Sequence, residues 1–213
     1  MALDEAVLVC APPERFVLRF FRWVGPALTF GYSQPYALAE AAARSRSIPT
    51  GQVVRRATGG GIVFHDGDLT FSLVFPWPRL SPPAEIYEKV HRGALSGLLD
   101  SGMEASLWAS PAGAARLRRA QCFLGPEPSD LVDGCGRKLL GGALRRRLSR
   151  GLYQGSLRLS GLDERRTAFE AALAAGLARE WGRLLSCELE PAWIAAAEDL
   201  AGKYASEDWN RRR

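Results

Sequence analysis

The chain has 213 residues, of which 47% are hydrophobic and 24% are charged, the composition of an ordinary globular protein. Its formal net charge of +5 permits a nucleic acid, an anionic membrane surface or an acidic protein as partner. No uninterrupted apolar run is long enough to span a bilayer, and acids stand near the start where a secretory signal carries bases, so a cytoplasmic protein is expected.

Charged and sulfur-containing residues narrow the function classes further. Basic residues are concentrated in three short runs, at 116–119, 145–150 and 211–213. They lack the stacking aromatics and groove-reading helix of a nucleic-acid binder, so nucleic acid is the weakest partner class. The four cysteines lack Cys-x-x-Cys spacing, so no metal site is predicted. We expect Cys10 and Cys187 to be buried, and Cys135 to be exposed in a glycine-rich turn.

Hydrophobic periodicity and turn residues predict the elements of the N-terminal half. A helix is predicted at 2–10, followed by strands at 16–24 and 27–32 and by a helix at 35–46 that Ser33 would cap. A hairpin is then predicted around three consecutive glycines. After it come a strand at 69–75 and an amphipathic helix at 85–99, with apolar residues at helical spacing (Ile86, Val90, Ala94 and Leu98).

Shorter elements are predicted in the second half. Strands are expected at 106–108, 131–132, 138–140 and 151–159, and helices at 163–182 and 191–204. Residues 110–120 are either a loop or a short helix. This order predicts an α/β (α+β) fold, with one domain over residues 1–213 and a mixed, largely antiparallel sheet flanked by helices.

The most informative stretch is residues 53–66. It contains a β-branched run with Arg55 and Arg56, three consecutive glycines, and a second apolar run that ends in His65-Asp66. Glycines permit positive φ angles and close backbone approach to a ligand, while exposed N–H groups beside guanidiniums favour an oxygen anion. The alternative is a β-hairpin with a glycine bulge, two solvated arginines and a surface histidine.

A second group of signals lies in residues 122–156. Lys138 stands between glycines in the run Gly-Arg-Lys-Leu-Leu-Gly-Gly-Ala, and Gln-Gly-Ser follows at 154–156. A lysine held between such bends can point inward, where its ammonium either contacts a carbonyl or phosphate oxygen or loses its proton and acts as a base. The alternative is a surface lysine in a basic loop.

Both runs resemble motifs of the lipoate branch of the biotin/lipoate protein ligase and octanoyltransferase superfamily. These motifs are Arg-Arg-x-Ser/Thr-Gly-Gly-Gly-x-Val-Phe/Tyr-His-Asp and Gly-Arg-Lys-x-x-Gly-x-Ala. The opening Met-Ala-Leu-Asp-Glu and the final Lys203-Tyr204 with Trp209-Asn210 also resemble that domain's ends. The resemblance implies a class II biotin/lipoate ligase-like fold. It also implies attachment of an octanoyl or lipoyl group, through an amide, to one lysine of a lipoyl domain in 2-oxoacid dehydrogenases or in glycine cleavage H protein.

The same resemblance implies the residues of the site. An apolar tunnel should accept the eight-carbon chain of octanoate or lipoate, with about 0.8 kcal/mol gained per buried methylene. Lys138 would contact the acyl carbonyl or the activating group, and no tightly bound cofactor is expected. The positions implied in substrate binding are Arg56, Thr58, Gly59, Gly60, Gly61, His65, Gly136, Arg137, Gly141 and Ala143.

Two chemistries share this family. A ligase uses ATP and Mg²⁺ to form an acyl adenylate, whereas a transferase takes octanoyl from acyl carrier protein and holds it on a cysteine as a thioester. Cys122, in Cys-Phe-x-x-Pro ahead of Lys138, matches the nucleophile segment of one octanoyltransferase type. An unreactive Cys122 and a reactive Cys135 are the alternatives. The chain shows no C-terminal accessory domain of the kind that many lipoate ligases carry, which favours the transferase.

Two other functions are weaker. A biotin ligase is disfavoured because the Gly-Arg-Gly-Arg-rich signature is absent. A protein of another class would bind an acidic lipoyl carrier domain through its basic surface without chemistry, although the complete glycine motif and Lys138 argue against it.

Overall fold

The computed structural model describes residues 1–109, 123 and 125–212. Its helices are α1 (Ala2–Cys10), α2 (Tyr36–Arg44), α3 (Pro83–Asp100), α4 (Leu162–Trp181), α5 (Pro191–Ala205) and α6 (Glu207–Asn210). Its strands are β1 (Val17–Phe21), β2 (Ala27–Phe30), β3 (Val53–Arg55), β4 (Val63–His65), β5 (Leu69–Pro76), β6 (Ser106–Leu107), β7 (Leu131–Val132), β8 (Lys138–Arg147) and β9 (Arg150–Leu157). The predicted mixed α/β class is confirmed.

A six-stranded sheet in the order β1-β5-β9-β8-β7-β6 forms the centre, and every neighbouring pair in it is antiparallel. Alternation along β5 gives the sheet two different faces. Leu69, Phe71 and Leu73 enter the main hydrophobic core, whereas Thr70 and Ser72 are buried on the other face and make hydrogen bonds. The second face is therefore built for polar contacts as well as for packing.

Helices cover both faces of this sheet. The apolar residues at helical spacing in α3 are all buried, as predicted, and they pack with α4 residues such as Phe169 and Leu173. On the other face, α1 and α5 bury Val7 and Trp193 against Val74 and Leu152 of the sheet. The predicted bounds of these helices agree with the structure to within two residues.

A separate three-stranded sheet, in the order β3-β2-β4, carries the glycine-rich stretch. The predicted hairpin is wrong, because β3 and β4 do not pair with each other. Strand β2 lies between them, parallel to β3 and antiparallel to β4. An element from earlier in the chain therefore separates the two arms, and local sequence carries no signal for such an insertion.

Three smaller expectations also differ from the structure. The N-cap of α2 is Pro35 and makes no side-chain hydrogen bond, so Ser33 is not its cap. Strand β8 continues well past the predicted end at residue 140. Cys10 and Cys187 are exposed, because Cys10 ends α1 and Cys187 lies in the irregular segment between α4 and α5, whereas Cys135 is exposed as expected. Within the described ranges, every helix is too short or too polar to cross a bilayer.

Candidate active site

A cleft lies between the three-stranded sheet and the polar face of the six-stranded sheet. Its volume is about 30 Å³. One wall comes from β2, β4 and the segment after β3, the other from β5, β8 and β9, and Met1 adds a side chain at the start of α1. Lining residues include Phe21, Thr29, Arg56, Val63, His65, Gly141, Gly142, Ala143, Gln154 and Ser156.

Arg56 holds the glycine turn in shape from within. Its guanidinium is buried and donates to the carbonyl oxygens of Gly59 and Gly61, at 2.9 and 2.8 Å, and to Thr29 Oγ1 at 2.8 Å. Charged donors on backbone acceptors make strong hydrogen bonds. These hydrogen bonds hold the Arg56 charge in place beside the cleft. The alternative of a solvated arginine is therefore wrong for this residue.

Close backbone contact explains part of the glycine requirement. Gly60 has φ +85°, in the left-handed region that glycine adopts without strain. Its carbonyl oxygen lies so close to Gly31 that a Cβ on Gly31 would overlap it. Gly31 follows β2 and stands outside the motif, so the turn depends on a glycine that the sequence pattern did not single out.

His65 forms a fixed part of the cleft wall. Its Nδ1 lies 2.8 Å from Asp68 Oδ2, and its Nε2 lies 2.8 Å from Thr29 Oγ1. Because a carboxylate only accepts, Nδ1 carries the proton and Nε2 accepts from the threonine hydroxyl. Burial lowers the pKa of His65 more than the Asp68 contact raises it, so the ring is neutral. The partner is Asp68, whereas the adjacent Asp66 is exposed.

Thr58 connects the glycine turn to both layers. Its hydroxyl donates to Gln154 Oε1 at 2.7 Å, and the Gln154 amide donates to Asp4 Oδ2 at 2.7 Å. Asp4 also accepts from Arg19 and from Ser72. Burial acts to raise the pKa of Asp4, but the Arg19 charge and these hydrogen bonds hold it below its usual value. This network fixes the turn against α1 and the six-stranded sheet.

Arg55 has a structural role that the sequence did not predict. It is fully buried, and its guanidinium donates to the carbonyl oxygens of Tyr32, Gln34, Trp209 and Asn210 at 2.7 to 3.1 Å. Its own backbone N–H donates to Asn210 Oδ1 at 2.8 Å. The first arginine of the pair therefore anchors α6 to β3, and the expectation that both arginines would serve an anion is corrected.

Lys138 is directed inward. Its side chain is only 6% exposed, and Nζ lies 2.7 Å from Asp130 Oδ2. A Cβ on Gly141, which lines the cleft, would lie 2.5 Å from Nζ, so the lysine side chain crosses the space that a larger residue would fill. A β-bulge precedes this point, since Leu131 pairs with Leu140 but Val132 pairs with Lys138. Such bulges re-aim side chains.

A buried polar network surrounds that ion pair. Asp130 Oδ1 accepts from the Tyr87 hydroxyl at 2.6 Å, and the same hydroxyl oxygen accepts from the Gly142 N–H at 3.1 Å. Burial first, and then the Asp130 charge, raise the pKa of Tyr87 well above its usual value. Next to it, burial and then the Lys138 charge lower the pKa of His91 to about 3. Tyr87 therefore keeps its proton and His91 remains neutral.

The remaining predicted positions do not all gather at the cleft. Gly136 and Arg137 lie in the turn before β8, where the Arg137 side chain is 80% exposed and pairs with Asp133. Neither residue lines the cleft. Cys122 lies outside the described residues, as does the whole 110–120 segment. Phe123, which follows Cys122, lies with its ring centroid 5.3 Å from Lys138 Nζ.

Several residues that build the site had no predicted role. Gln154 and Ser156 belong to a run that the sequence had marked as dense in signals, and alternation along β9 could have placed them on one face. Asp130 was likewise visible, in the segment before Lys138. Thr29 and Tyr87 had no local signal, because a threonine in a strand and a tyrosine in an amphipathic helix are both ordinary.

Comparisons with known proteins place the chain among enzymes of protein lipoylation. Residues 1–178 match the model of the lipoyl protein ligase A/B catalytic domain. An octanoyltransferase LipM from Kyrpidia tusciae is 31% identical, with 100% of this chain and 94% of the relative covered.

Two solved structures give the same fold. Protein Ta0514 from T. acidophilum, with bound lipoic acid, has a TM-score of 0.80 at 21% identity and covers 100% of this chain and 92% of its own. A bipartite lipoate protein ligase from Thermoplasma acidophilum, studied with its E2 lipoyl domain, has a TM-score of 0.73 at 21% identity and covers 99% and 89%. At this identity the two structures establish the fold alone.

Proposed function

Because the chain belongs to the lipoyl protein ligase A/B catalytic-domain family, we propose that it transfers an octanoyl group to the specific lysine of a lipoyl carrier domain. The donor in this proposal is octanoyl acyl carrier protein, and Cys122 carries the acyl group as a thioester. The observation that carries the proposal is the buried Lys138 ammonium, which lies against Gly141, a residue that lines the cleft.

The cleft has a shape that suits an apolar chain. It is a narrow slot of about 30 Å³ that is lined largely by backbone and apolar side chains. Gly141, Gly142 and Gly155 contribute no side chains to its floor, so chain methylenes can lie against backbone there. Met1 supplies the adaptable part of the wall, because a methionine side chain repacks easily.

Lys138 supplies positive charge for the reacting carbonyl. As the carbonyl carbon becomes tetrahedral, its oxygen gains negative charge, and a preorganised ammonium stabilises that charge. The contact with Asp130 gives the ammonium a carboxylate partner at 2.7 Å. Of the two roles that the sequence left open, the ion pair supports the hydrogen-bond donor over the base.

Two steps complete the transfer. The Cys122 thiolate attacks the carbonyl carbon of the donor thioester, and the carrier thiolate leaves and takes up a proton. The lysine amine of the lipoyl domain then attacks the enzyme thioester, forms the amide, releases the Cys122 thiolate and loses a proton. The assignment of Cys122 rests on the match of its Cys-Phe-x-x-Pro segment to the nucleophile segment of one octanoyltransferase type.

Intact-mass analysis tests the proposal. Incubation with octanoyl acyl carrier protein is expected to add one octanoyl group that hydroxylamine removes, and Cys122→Ser should abolish the addition. Cys135→Ser is the matched control, because that thiol is exposed and Cys135 does not line the cleft. Unmodified wild type that releases pyrophosphate with ATP and lipoate would instead identify an ATP-dependent ligase.

A further inference from the structure

The carboxylate that faces Lys138 is itself held from several directions. Asp130 is fully buried, and Oδ2 accepts from Lys138 Nζ at 2.7 Å and from the Glu127 N–H at 2.6 Å. Its other oxygen accepts from the Tyr87 hydroxyl at 2.6 Å. Both carboxylate oxygens are thus engaged, so the ammonium has one defined partner position.

We propose that Asp130 and Tyr87 are positioning residues. They hold the Lys138 ammonium against Gly141, where it can contact the oxygen of the reacting acyl carbonyl. This inference rests on the proposed function of the cleft. It adds two residues that no motif in the chain marks as part of the site.

Tyr87 links the ammonium to the floor of the cleft. Its hydroxyl donates to Asp130 and accepts from the backbone N–H of Gly142, which lines the cleft beside Gly141. The Tyr87 hydroxyl therefore links the ion pair directly to the backbone of β8 at Gly142. Its ring stacks on His91 at 4.1 Å between centroids, and His91 Nε2 lies 2.7 Å from the Tyr153 hydroxyl. Through Tyr87 and His91, helix α3 therefore supports the strands that form the floor of the cleft.

A purely structural role for Asp130 predicts a different outcome from a positioning role. Buried ion pairs contribute little net stability, but their geometry fixes where each charge lies. If Asp130 positions Lys138, its replacement should slow acyl transfer. The replacement also removes a negative charge that, under the proposed function, disfavours the Cys122 thiolate. Rate and thiol ionisation should then change in opposite directions, which a general loss of stability would not cause.

The test uses the full chain with Cys10, Cys135 and Cys187 replaced by serine, so that Cys122 is its single thiol. Asp130→Asn removes the charge at almost constant size, Tyr87→Phe removes only the hydroxyl, and Lys138→Met removes the ammonium. Asp133→Asn is the matched control, because Asp133 also pairs with a basic residue of the same hairpin, the exposed Arg137.

Single-turnover acylation by octanoyl acyl carrier protein is the first measurement. Asp130→Asn is expected to lower the rate about 100-fold, the effect of losing a preorganised hydrogen-bond donor to the transition state. The concentration of octanoyl acyl carrier protein at half-maximal rate should change less than about threefold. Tyr87→Phe should lower it about tenfold, the effect of one hydrogen bond. Asp133→Asn should keep the wild-type rate.

The pH dependence of Cys122 alkylation by iodoacetamide is the second measurement. Removing the Asp130 charge should lower the alkylation midpoint by about one pH unit, and removing the Lys138 charge should raise it by a similar amount. A slower Asp130→Asn transfer with a lower midpoint supports positioning. An unchanged rate, or a slower rate with an unchanged midpoint, contradicts it. If wild type accepts no octanoyl group, the proposed donor chemistry fails. Midpoints that still shift as expected would then show that the ion pair acts on the thiol, and unshifted midpoints would overturn the positioning role as well.

Discussion

Gly141→Ala tests whether Lys138 lies where the structure places it. A Cβ at this position would lie 2.5 Å from Nζ and closer still to Cε, so the lysine must leave the space over the strand. If it shifts within the site, overpacking costs about 1–3 kcal/mol, and if it abandons Asp130, a buried unpaired carboxylate costs about 3–5 kcal/mol. We expect about 2–4 kcal/mol of destabilisation.

Thermal and chemical unfolding measure this effect. For a domain of this size, 1 kcal/mol corresponds to roughly 2–4 °C in Tm, so a loss of about 4–16 °C is expected. Octanoyl transfer should fall about 100-fold, because the ammonium no longer reaches the reacting carbonyl. Gly51→Ala is the control for both measurements, since a Cβ there has no atom within 4 Å and Gly51 does not line the cleft.

A double-mutant cycle separates overlap from other causes. In a Lys138→Ala background the overlapping atoms are gone, so Gly141→Ala should cost less than about 0.5 kcal/mol there. Equal costs in the two backgrounds, or a Gly141→Ala protein with wild-type Tm and transfer rate, would refute the packing of Lys138 on Gly141.

Three further predictions concern stability and accessibility. Unfolded histidine binds a proton below about pH 6.5, but folded His91 does so only near pH 3. The free energy of unfolding should therefore fall with decreasing pH in that window, by up to about 1.4 kcal/mol per pH unit. Urea titrations at several pH values measure this slope, and His91→Gln should reduce it. Arg55→Met should cost at least about 3 kcal/mol in the same assay because four carbonyl groups lose a charged donor, whereas Arg137→Met should cost less than about 0.5 kcal/mol. An Ellman assay of the native protein should titrate at least the three thiols that the structure exposes, Cys10, Cys135 and Cys187.

Pairing between distant strands is where the sequence-based account failed. The two arms of the glycine stretch look like a hairpin because they are close in sequence and rich in β-branched residues. The structure places β2 between them, since its Leu28 and Phe30 share a core with Val53 and Phe64. The local pattern of two strands joined by a glycine turn therefore did not predict which strands pair with each other.

Charged residues show the same limit. The Arg-Arg pair was recognised, yet the two guanidiniums have different partners: Arg55 reaches the end of the chain and Arg56 reaches the glycine turn. Arg55 is the last residue of β3 and Arg56 follows it, and their hydrogen bonds show that the two side chains serve different sites. The orientation of Lys138 was proposed from its flanking glycines, but its partner Asp130 became evident only from the folded hairpin.

The sequence by itself determined the order and type of the main elements, the buried face of α3 and the two motifs that establish the family. Those features depend on periodicity and on local backbone geometry, which neighbouring residues encode. Only the tertiary structure decided that β2 separates β3 from β4, that Asp68 orients His65, and that Asp130 and Tyr87 hold Lys138 over Gly141. Each of these contacts joins groups whose proximity depends on how strands and helices pack, and packing energy is shared among residues far apart in the chain.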